Sequence, residues 1–527
     1  MIVVNFIQCN EKLSASMYKG IISLLYKSGN REEIKNWRPI TLLNIDYKVI
    51  AKCLAERLKK VLPSIINPDQ RAYIQGRQIS ESIRLTLDIL DQQNNNGCII
   101  FLDQQKAFDR VEWGYLKICL ESFGFGPKFI TNVMMLYRYG QSCINTNGFL
   151  SKYFPISRSM RQGCPIAAYL YIVQAEPMAE TIRKEKRIKG IDVPTPAPYI
   201  TNHVKISSFA DDTQLFLNDI ESMKICFSIL EIYSKASGAK ININKTKGLG
   251  LGTWKENPPD FNNIEWINSI KALGIYFGHN INYNEIMQKC LDKCKKKLEK
   301  WKKRDLTLQG KRVLINSYIL SDVGYIMEMY PNHVTQNFIQ SLKEMCCNFL
   351  WKGKSWKISQ KTMSLMRKHG GFEFPDFETL LKTKKIKWIL NIISKPLNSW
   401  NSCGQHILRY FDHFFKQNYF LLECSDTRKL DLTNIPAFYT TCIESWIEMN
   451  TKQKVDTKTG VLKQNINANK YLQYKREPFS FMKWSEYGIT QINHLWDIHK
   501  NCWKAQSNHI FDELKTQPEW SNQYSQS

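Results

Sequence analysis

The alternation of apolar and polar positions changes period several times along the chain. Gly20-Ile-Ile-Ser-Leu-Leu-Tyr-Lys27 is a short apolar run ending at the turn formers Ser28-Gly29-Asn30, and it predicts a strand. A second short strand is expected after Arg38-Pro39. From Asn44 or Asp46 the rhythm becomes helical, with Val49, Ile50, Cys53, Leu54, Leu58, Val61 and Leu62 as the apolar set and Pro63 as the stop. Cys98-Ile-Ile-Phe-Leu102 is a short apolar strand that delivers Asp103 at its carboxyl end. Lys205 to Leu217 has two apolar arms around Asp211-Asp212, the pattern of a β-hairpin with both carboxylates at its tip. A helix is expected from about Ile220 to Ser237, closed by Gly238, because glycine adopts the left-handed conformation that ends helices. Strands mixed with helices over this first part predict an α+β domain.

Beyond the loop Glu256-Asn-Pro-Pro-Asp260 the pattern is helical. From Ile286 to Trp301 the apolar positions Met287, Leu291, Cys294, Leu298 and Trp301 recur in steps of four and three. The other faces carry Lys289, Lys293, Lys295, Lys296, Lys297, Lys300, Lys302, Lys303 and Arg304, offset within the run only by Asp292 and Glu299. A charge run is usually a solvated face; one this unbalanced points to phosphate contact. The remainder is expected to be helical and Trp-rich, with a polar, mobile segment from Asn450 to Asn469. There are no internal repeats.

Composition narrows the function. In 527 residues, 43% hydrophobic content excludes wholesale disorder. Lys and Arg number 73 against 48 Asp and Glu, a formal charge of +25. That surplus repels itself unless something anionic covers it, and a nucleic-acid backbone is the usual cover. The 15 cysteines include no pair of C-x-x-C units, so neither zinc nor a disulfide scaffold is expected, and a reduced intracellular compartment fits. Met1-Ile-Val-Val-Asn-Phe-Ile7 is a poor signal peptide, and no apolar run reaches the ~20 residues a bilayer needs.

Asp103, Asp211 and Asp212 carry the candidate chemistry. Phosphoryl transfer to a 3′-hydroxyl uses two divalent cations held by anionic oxygens, and two carboxylates on a turn with a third on a neighbouring strand can supply those. Taken alone, an Asp-Asp pair is more often a solvated turn, and both readings stand on these residues.

The flanks decide more. Phe209-Ala-Asp-Asp212 resembles the [Y/F]-x-D-D hairpin of reverse transcriptases, and Phe101-Leu-Asp-Gln-Gln-Lys-Ala-Phe-Asp-Arg110 resembles the partner metal-binding motif of the non-LTR (LINE-type) retrotransposon family. Between them, Arg161-Gln-Gly-Cys-Pro165 is similar to the element that opens a palm helix in that family. Asn36-Trp-Arg-Pro-Ile-Thr-Leu-Leu43 and Gln75-Gly-Arg77 resemble fingers motifs, and Ser237-Gly238 through Lys245-Thr246 and Leu273-Gly274-Ile275 the last palm motifs. The resemblance covers roughly residues 18 to 350 and fades through Phe349–Gly353 and Phe374–Phe377.

It implies a right-hand polymerase: fingers over 1–100, palm with remaining fingers elements over 101–284, a helical thumb over 285–350, and a helical carboxyl-terminal region of unknown task over 351–527. It implies two Mg²⁺ ions on Asp103, Asp211 and Asp212, an RNA template, a DNA primer, dNTPs as substrates, no membrane, and a nuclear or cytoplasmic location. Phe108 would lie under the incoming sugar and reject a 2′-hydroxyl, or else be a core ring on a turn. Arg38 would grip the triphosphate, where a guanidinium can bond phosphate oxygens in pairs. Gln162 and Gly163 would line the nucleotide pocket. Lys245 would give a proton to pyrophosphate, though a surface lysine explains it nearly as well. Leu273 and Gly274 would pack beneath the primer end, and Lys295, Lys296 and Lys297 would ride on the duplex backbone.

The sequence departs from the family in places. Cys164-Pro165 is followed by Ile-Ala-Ala-Tyr where the family commonly has Leu-Ser-Pro or Leu-Ala-Pro, which puts the helix start in doubt. The chain is expected to begin inside the fingers, without an endonuclease, and no Cys-Cys-His-Cys knuckle or acidic set of an RNase H stands near its end. Intron-encoded maturases and RNA-dependent RNA polymerases are rivals of the same class; a catalytically degenerate RNA-binding scaffold is the rival from another.

Overall fold

The computed structural model describes residues 12–92, 96–196, 202–330, 335–353, 355–414 and 430–452, with short stretches elsewhere between 421 and 503. The segment Met1–Ile7 and most of the polar stretch 450–469 lie outside the described residues. Two compact units divide the chain: Met1–Val193 with Thr201–Ile281 and Asn398–Trp400, and Pro194–Ile200 with Asn282–Leu397 and Asn401–Ser527.

In the first unit, β1 (Lys19–Tyr26) and β2 (Trp37–Leu43) pair antiparallel, from Gly20 opposite Leu43 to Tyr26 opposite Trp37. Helix α1 (Ile45–Ile65) starts where Asn44 accepts a hydrogen bond from the Asp46 main chain. Two expectations are corrected here. Pro63 does not stop the helix but lies inside its last turn, where the missing N–H costs a single bond. The buried stripe is Tyr47, Ala51, Leu54, Ala55, Leu58 and Leu62, whereas Val49, Cys53 and Val61 are exposed. The stripe is set by position on the helix rather than by side-chain size, so alanines and a tyrosine line it while bulky valines face out.

After α2 (Ile79–Asp91) comes β3 (Gly97–Leu102), buried at every position. Helices α3 (Trp113–Ser122) and α4 (Pro127–Met135) precede β4 (Gln141–Thr146), which runs parallel to β1 and carries the short β5 (Phe149–Leu150) and β6 (Phe154–Pro155). Helix α5 (Ala167–Lys184) starts at Ala167 with Ile166 before it, so the proline missing from this motif is not needed to start the helix. The pair β7 (Ile191–Val193) and β8 (Asn202–Val204) leads to β9 (Ile206–Phe209), β10 (Asp212–Leu217) and α6 (Ile220–Ser237), with Gly238 at φ 76° as its left-handed end. Strands β11 (Lys247–Leu251) and β12 (Glu265–Trp266) complete a sheet of order β12-β11-β3-β10-β9, and β13 (Ser269–Ala272) and β14 (Ile275–Gly278) form a separate hairpin. One face of the sheet (Cys98, Ile100, Leu102, Leu215, Leu217) packs on Met178, Ala179 and Ile182 of α5 and on Met223, Cys226 and Leu230 of α6. On the other face Phe101 meets Phe277, with ring centroids 5.8 Å apart.

The second unit opens with α7 (Tyr283–Lys302), α8 (Leu308–Leu314), a π-helical turn over Ile315–Ile319, α9 (Leu320–Met329) and α10 (Gln336–Leu350). Met287, Cys290, Cys294 and Leu298 of α7 pack against Ile315, Ile319, Leu342 and Cys346. Cys290 therefore belongs to the buried stripe, whereas Leu291 and Trp301 are half-buried at its margins. Helices α11 (Gln360–Ser364), α12 (Phe377–Ser394), α13 (Ser402–Phe414) and α14 (Ala437–Lys452) follow. The region is not helical throughout: β15 (Asn469–Tyr474) pairs with β16 (Glu477–Phe479), and β17 (Trp496–Asp497) with β18 (Cys502–Trp503). Among the described residues no helix is long and apolar enough to cross a membrane.

Candidate active site

Strand order brings the carboxylates together. Leu102 of β3 stands opposite Thr213 of β10, so the adjoining positions, Asp103 and Asp212, emerge at the same end of the sheet. Phe209 pairs with Asp212, which leaves Ala210 and Asp211 as the turn. Asp211 is thus at the tip, and Asp212 is the first residue of β10 rather than a turn residue.

Asp103 is held from the far side by the chain that follows Gly238. Its carbonyl accepts from the Asn242 main chain at 2.8 Å, and its Oδ2 accepts from Asn242 Nδ2 at 3.0 Å. Its own N–H donates to Thr246 Oγ1 at 3.3 Å. Lys245 lies between these two contacts in a short 3-10 turn (Ile243–Lys245), and its side chain is exposed.

The three acids repel one another. Burial, then Asp211, then Asp103 push the Asp212 carboxyl up to about 6, with Lys27 opposing. Solvent reaches the Asp212 side chain, and the protein atoms around it still limit its hydration. Burial likewise raises Asp211; its own main-chain N–H and the charges of Lys27 and Arg38 pull it down, while Asp103 adds to the rise. Lys27 follows β1, and Arg38 stands opposite Leu25 with its side chain exposed. Asp211 also helps to raise the phenol of Tyr73, after burial.

Phe108 stacks on Tyr171 with centroids 4.4 Å apart and planes 18° from parallel, and Tyr171 in turn donates to Gln104 Oε1 at 3.1 Å. Burial holds the Tyr171 phenol well above its ordinary range, and the charges of Asp211 and Asp212 add to that. Phe108 is half-buried, so one ring face is fixed while the residue still reaches the surface. Gln162 donates to Asp109 Oδ1 at 3.4 Å, and its carbonyl accepts from Thr41 N at 2.8 Å. Gly163 has φ 117°, and a Cβ there would stand 2.4 Å from the Thr41 carbonyl oxygen. Leu273 and Gly274, at φ 49° and 79°, form the two-residue turn of the β13–β14 hairpin, matching the positive φ that such tight turns require.

In the second unit, Lys295 and Lys296 are exposed on α7, but Lys297 pairs with Asp322 at 2.5 Å and Lys293 with the same carboxylate at 3.2 Å. The lysine run is therefore less unbalanced than its own residues imply, because α9 supplies an acid.

Among the described residues no three His, Cys, Asp or Glu side chains are grouped closely enough to hold a metal ion as they stand. The donor chemistry still fits a hard divalent cation, because all three groups are carboxylates at one sheet end and a cation would relieve the repulsion. Asn242, Thr246, Lys27, Tyr73 and Tyr171 were not singled out from the sequence as site residues. Asn242 and Thr246 fall inside the recognised stretch Ser237–Thr246, whereas nothing local marks Lys27 as a neighbour of Asp211.

Residues 26–277 match the reverse transcriptase (RNA-dependent DNA polymerase) family. Over 510 residues, 93% of this chain, the sequence is 30% identical to the Transposon TX1 uncharacterized 149 kDa protein of Xenopus laevis, of which the match covers 38%. It is 24% identical over 222 residues to the Retrovirus-related Pol polyprotein from type-2 retrotransposable element R2DM of Drosophila melanogaster, covering 41% of this chain and 20% of that protein. The chain thus spans well under half the length of these curated relatives. Among solved structures, telomerase from Candida tropicalis in complex with a fragment of telomeric RNA is 12% identical, at a TM-score of 0.39, over 73% of this chain and 65% of that one. The fold class is α+β, that of a right-hand polymerase. Residues 26–277 are thus a reverse transcriptase domain, and by its ordered motifs and its relatives the chain is similar to the reverse transcriptases of non-LTR retrotransposons.

Proposed function

We propose that the chain is an RNA-directed DNA polymerase, joining deoxynucleotides from dNTPs to a DNA primer 3′-hydroxyl on an RNA template. The observation that carries this reading is the convergence of Asp103, Asp211 and Asp212 at one sheet end, with the charges of Lys27 and Arg38 acting on Asp211. The three aspartates would hold two Mg²⁺ ions. Bound there, divalent cations activate the attacking hydroxyl and offset charge on the transferred phosphorus and the leaving pyrophosphate.

The chain's own residues divide the remaining work. Arg38, with Lys27, binds the triphosphate as a fork of donors. Phe108, backed by Tyr171, lies under the sugar and excludes a 2′-hydroxyl; the parallel ring stack supports this by fixing the Phe108 plane. Gln162 and Gly163 line the nucleotide pocket, and the side-chain-free Gly163 keeps it open. Lys245 gives a proton to pyrophosphate, which its exposed position permits. Leu273 and Gly274 support the primer end. Lys295 and Lys296, with a smaller share from Lys297, contact duplex phosphates. Fingers over 1–100, palm over 101–284, thumb over 285–350 and a separate region over 351–527 fit this division of labour, and the change of unit at Ile281 supports the palm boundary.

The test is primer extension by the purified chain on an RNA template with dNTPs and Mg²⁺, beside Asp212→Ala. Extension by the first alone supports the proposal. Tight RNA binding with no extension by either overturns it in favour of an RNA-binding scaffold.

A further inference from the structure

The turn that carries Asp211 is held by a residue the catalytic motifs do not include. Gln70, buried at 4% exposure, directs its side-chain amide at both main-chain polar groups of Ala210 in that turn. Its Oε1 accepts from the Ala210 main-chain N–H at 2.9 Å, and its Nε2 donates to the Ala210 carbonyl at 3.4 Å. The same Oε1 accepts from Ala72 N at 3.0 Å, which sets the amide's orientation. Ala210 needs such support, because it has φ 58°, a left-handed conformation that an alanine does not take freely.

Gln70 is itself anchored. Its main chain bridges Ser208 of β9, with Arg71 N donating to the Ser208 carbonyl and Ser208 N donating to the Asp69 carbonyl, each at 2.9 Å. Arg77 Nη1 donates to the Gln70 carbonyl at 2.7 Å, and its two Nη groups bond the carbonyls of Asn67 at 2.5 Å and Ile66 at 2.8 Å. Asp69 takes two bonds from Arg183 Nη1, at 2.9 and 2.8 Å, and Arg71 Nη1 donates to Ser207 Oγ at 2.9 Å. A segment fixed at this many points is a rigid support for one residue in a weakly favoured conformation.

We propose that Gln70 is a positioning residue, which clamps the Ala210 backbone through the peptides on either side of it and so fixes the direction in which Asp211 and Asp212 present their carboxylates. This rests on the polymerase reading for its effect on catalysis. Its effect on cation binding stands apart from that reading.

The experiment compares the full chain with Gln70→Met, which keeps the length and removes both amide groups, and with Gln70→Asn, which keeps the amide and shortens its reach. Mn²⁺ binding is followed by electron paramagnetic resonance without substrate, with Asp212→Ala defining the site; RNA-template affinity, thermal unfolding and single-nucleotide incorporation are measured beside it. Both variants are expected to bind Mn²⁺ several-fold more weakly and to lose about tenfold or more in kcat. Their RNA affinity should stay within about twofold and their dNTP KM should change little, as for groups that act only through orientation of the reacting centre. Adding Ala210→Gly to Gln70→Met is expected to recover part of both losses, because glycine adopts positive φ without help. Unchanged Mn²⁺ affinity in both variants would overturn the proposal, as would losses that follow RNA affinity and unfolding temperature in proportion. If the parent chain extends no primer, the polymerase reading falls and Mn²⁺ binding alone decides the clamp.

Discussion

Single residues here act mostly through backbone geometry. Gly163 sits at φ 117° with the Thr41 carbonyl 2.4 Å from where a Cβ would be, so any side chain meets both a conformational and a steric barrier. Gly163→Ala is expected to destabilise the protein by at least about 1–3 kcal/mol, measured by chemical denaturation, and to impair nucleotide incorporation beyond the lost stability. An alanine variant as stable as the parent would show that the approach of β2 to this loop is not tight. Phe108 is half-buried, stacked on the Tyr171 ring at the edge of the core. Phe108→Val should therefore leave folding near intact and admit ribonucleotides, read as the ratio of kcat/KM for dNTP over rNTP. An unchanged ratio would return Phe108 to a packing role.

At the scale of elements, the basic helix α7 divides into two kinds of lysine. Lys293 and Lys297 share Asp322, whereas Lys295 and Lys296 are exposed. Replacing Lys295 and Lys296 by Gln should weaken duplex binding and lower the log–log salt slope by up to about one per lost phosphate contact. Lys293→Gln should change that slope less, since its charge is already partnered; equal slopes for the two sets would contradict the division. Much of this level was legible in the sequence. The strand before Asp103, the hairpin around Asp211 and the helix ended by Gly238 all follow from local pattern, because each is decided by residues within one turn or one strand. What sequence distance hides was not legible. Gln70 meets Ala210 across 140 positions, and Asp322 reaches Lys297 across 25. The buried stripe of α1 was misread because its alanines carry no hydrophobic emphasis, although they face inward.

The molecule as a whole carries its acidity unevenly. Despite a net charge of +25, Asp69, Glu176 and Glu180 all pair with Arg183, with Lys184 as a second partner of Glu180 alone. Burial pushes the Glu176 carboxyl up to about 7; Arg183 opposes the rise, and Asp69 adds to it. Arg183 itself gains from its partners and is raised, yet divided among three acids it does not offset the burial of Glu176. The folded state then holds the Glu176 proton more tightly than the unfolded chain, whose glutamate titrates near 4.5. That contribution to stability is complete below about pH 4.5 and is lost as pH rises through about 7. The unfolding temperature is expected to fall over that interval, and Glu176→Gln should flatten the fall; an identical pH profile for both proteins would place the effect elsewhere.

The anchoring of the Gln70 segment also limits how this chemistry could be moved to another protein. Grafting residues 206–217 alone would transplant Asp211 and Asp212 without their scaffold, since Gln70 and Arg77 would stay behind and the Ala210 backbone would relax. A cassette that carries the three acids with these supports is discontinuous: the loop 66–77, the strand ending in Asp103, and the stretch from Ile206 to Thr246 that also brings Asn242. In a host polymerase that keeps its own triphosphate and sugar contacts, chimeras that exchange these pieces singly should fold and yet lose activity, whereas exchange of all three together should preserve it.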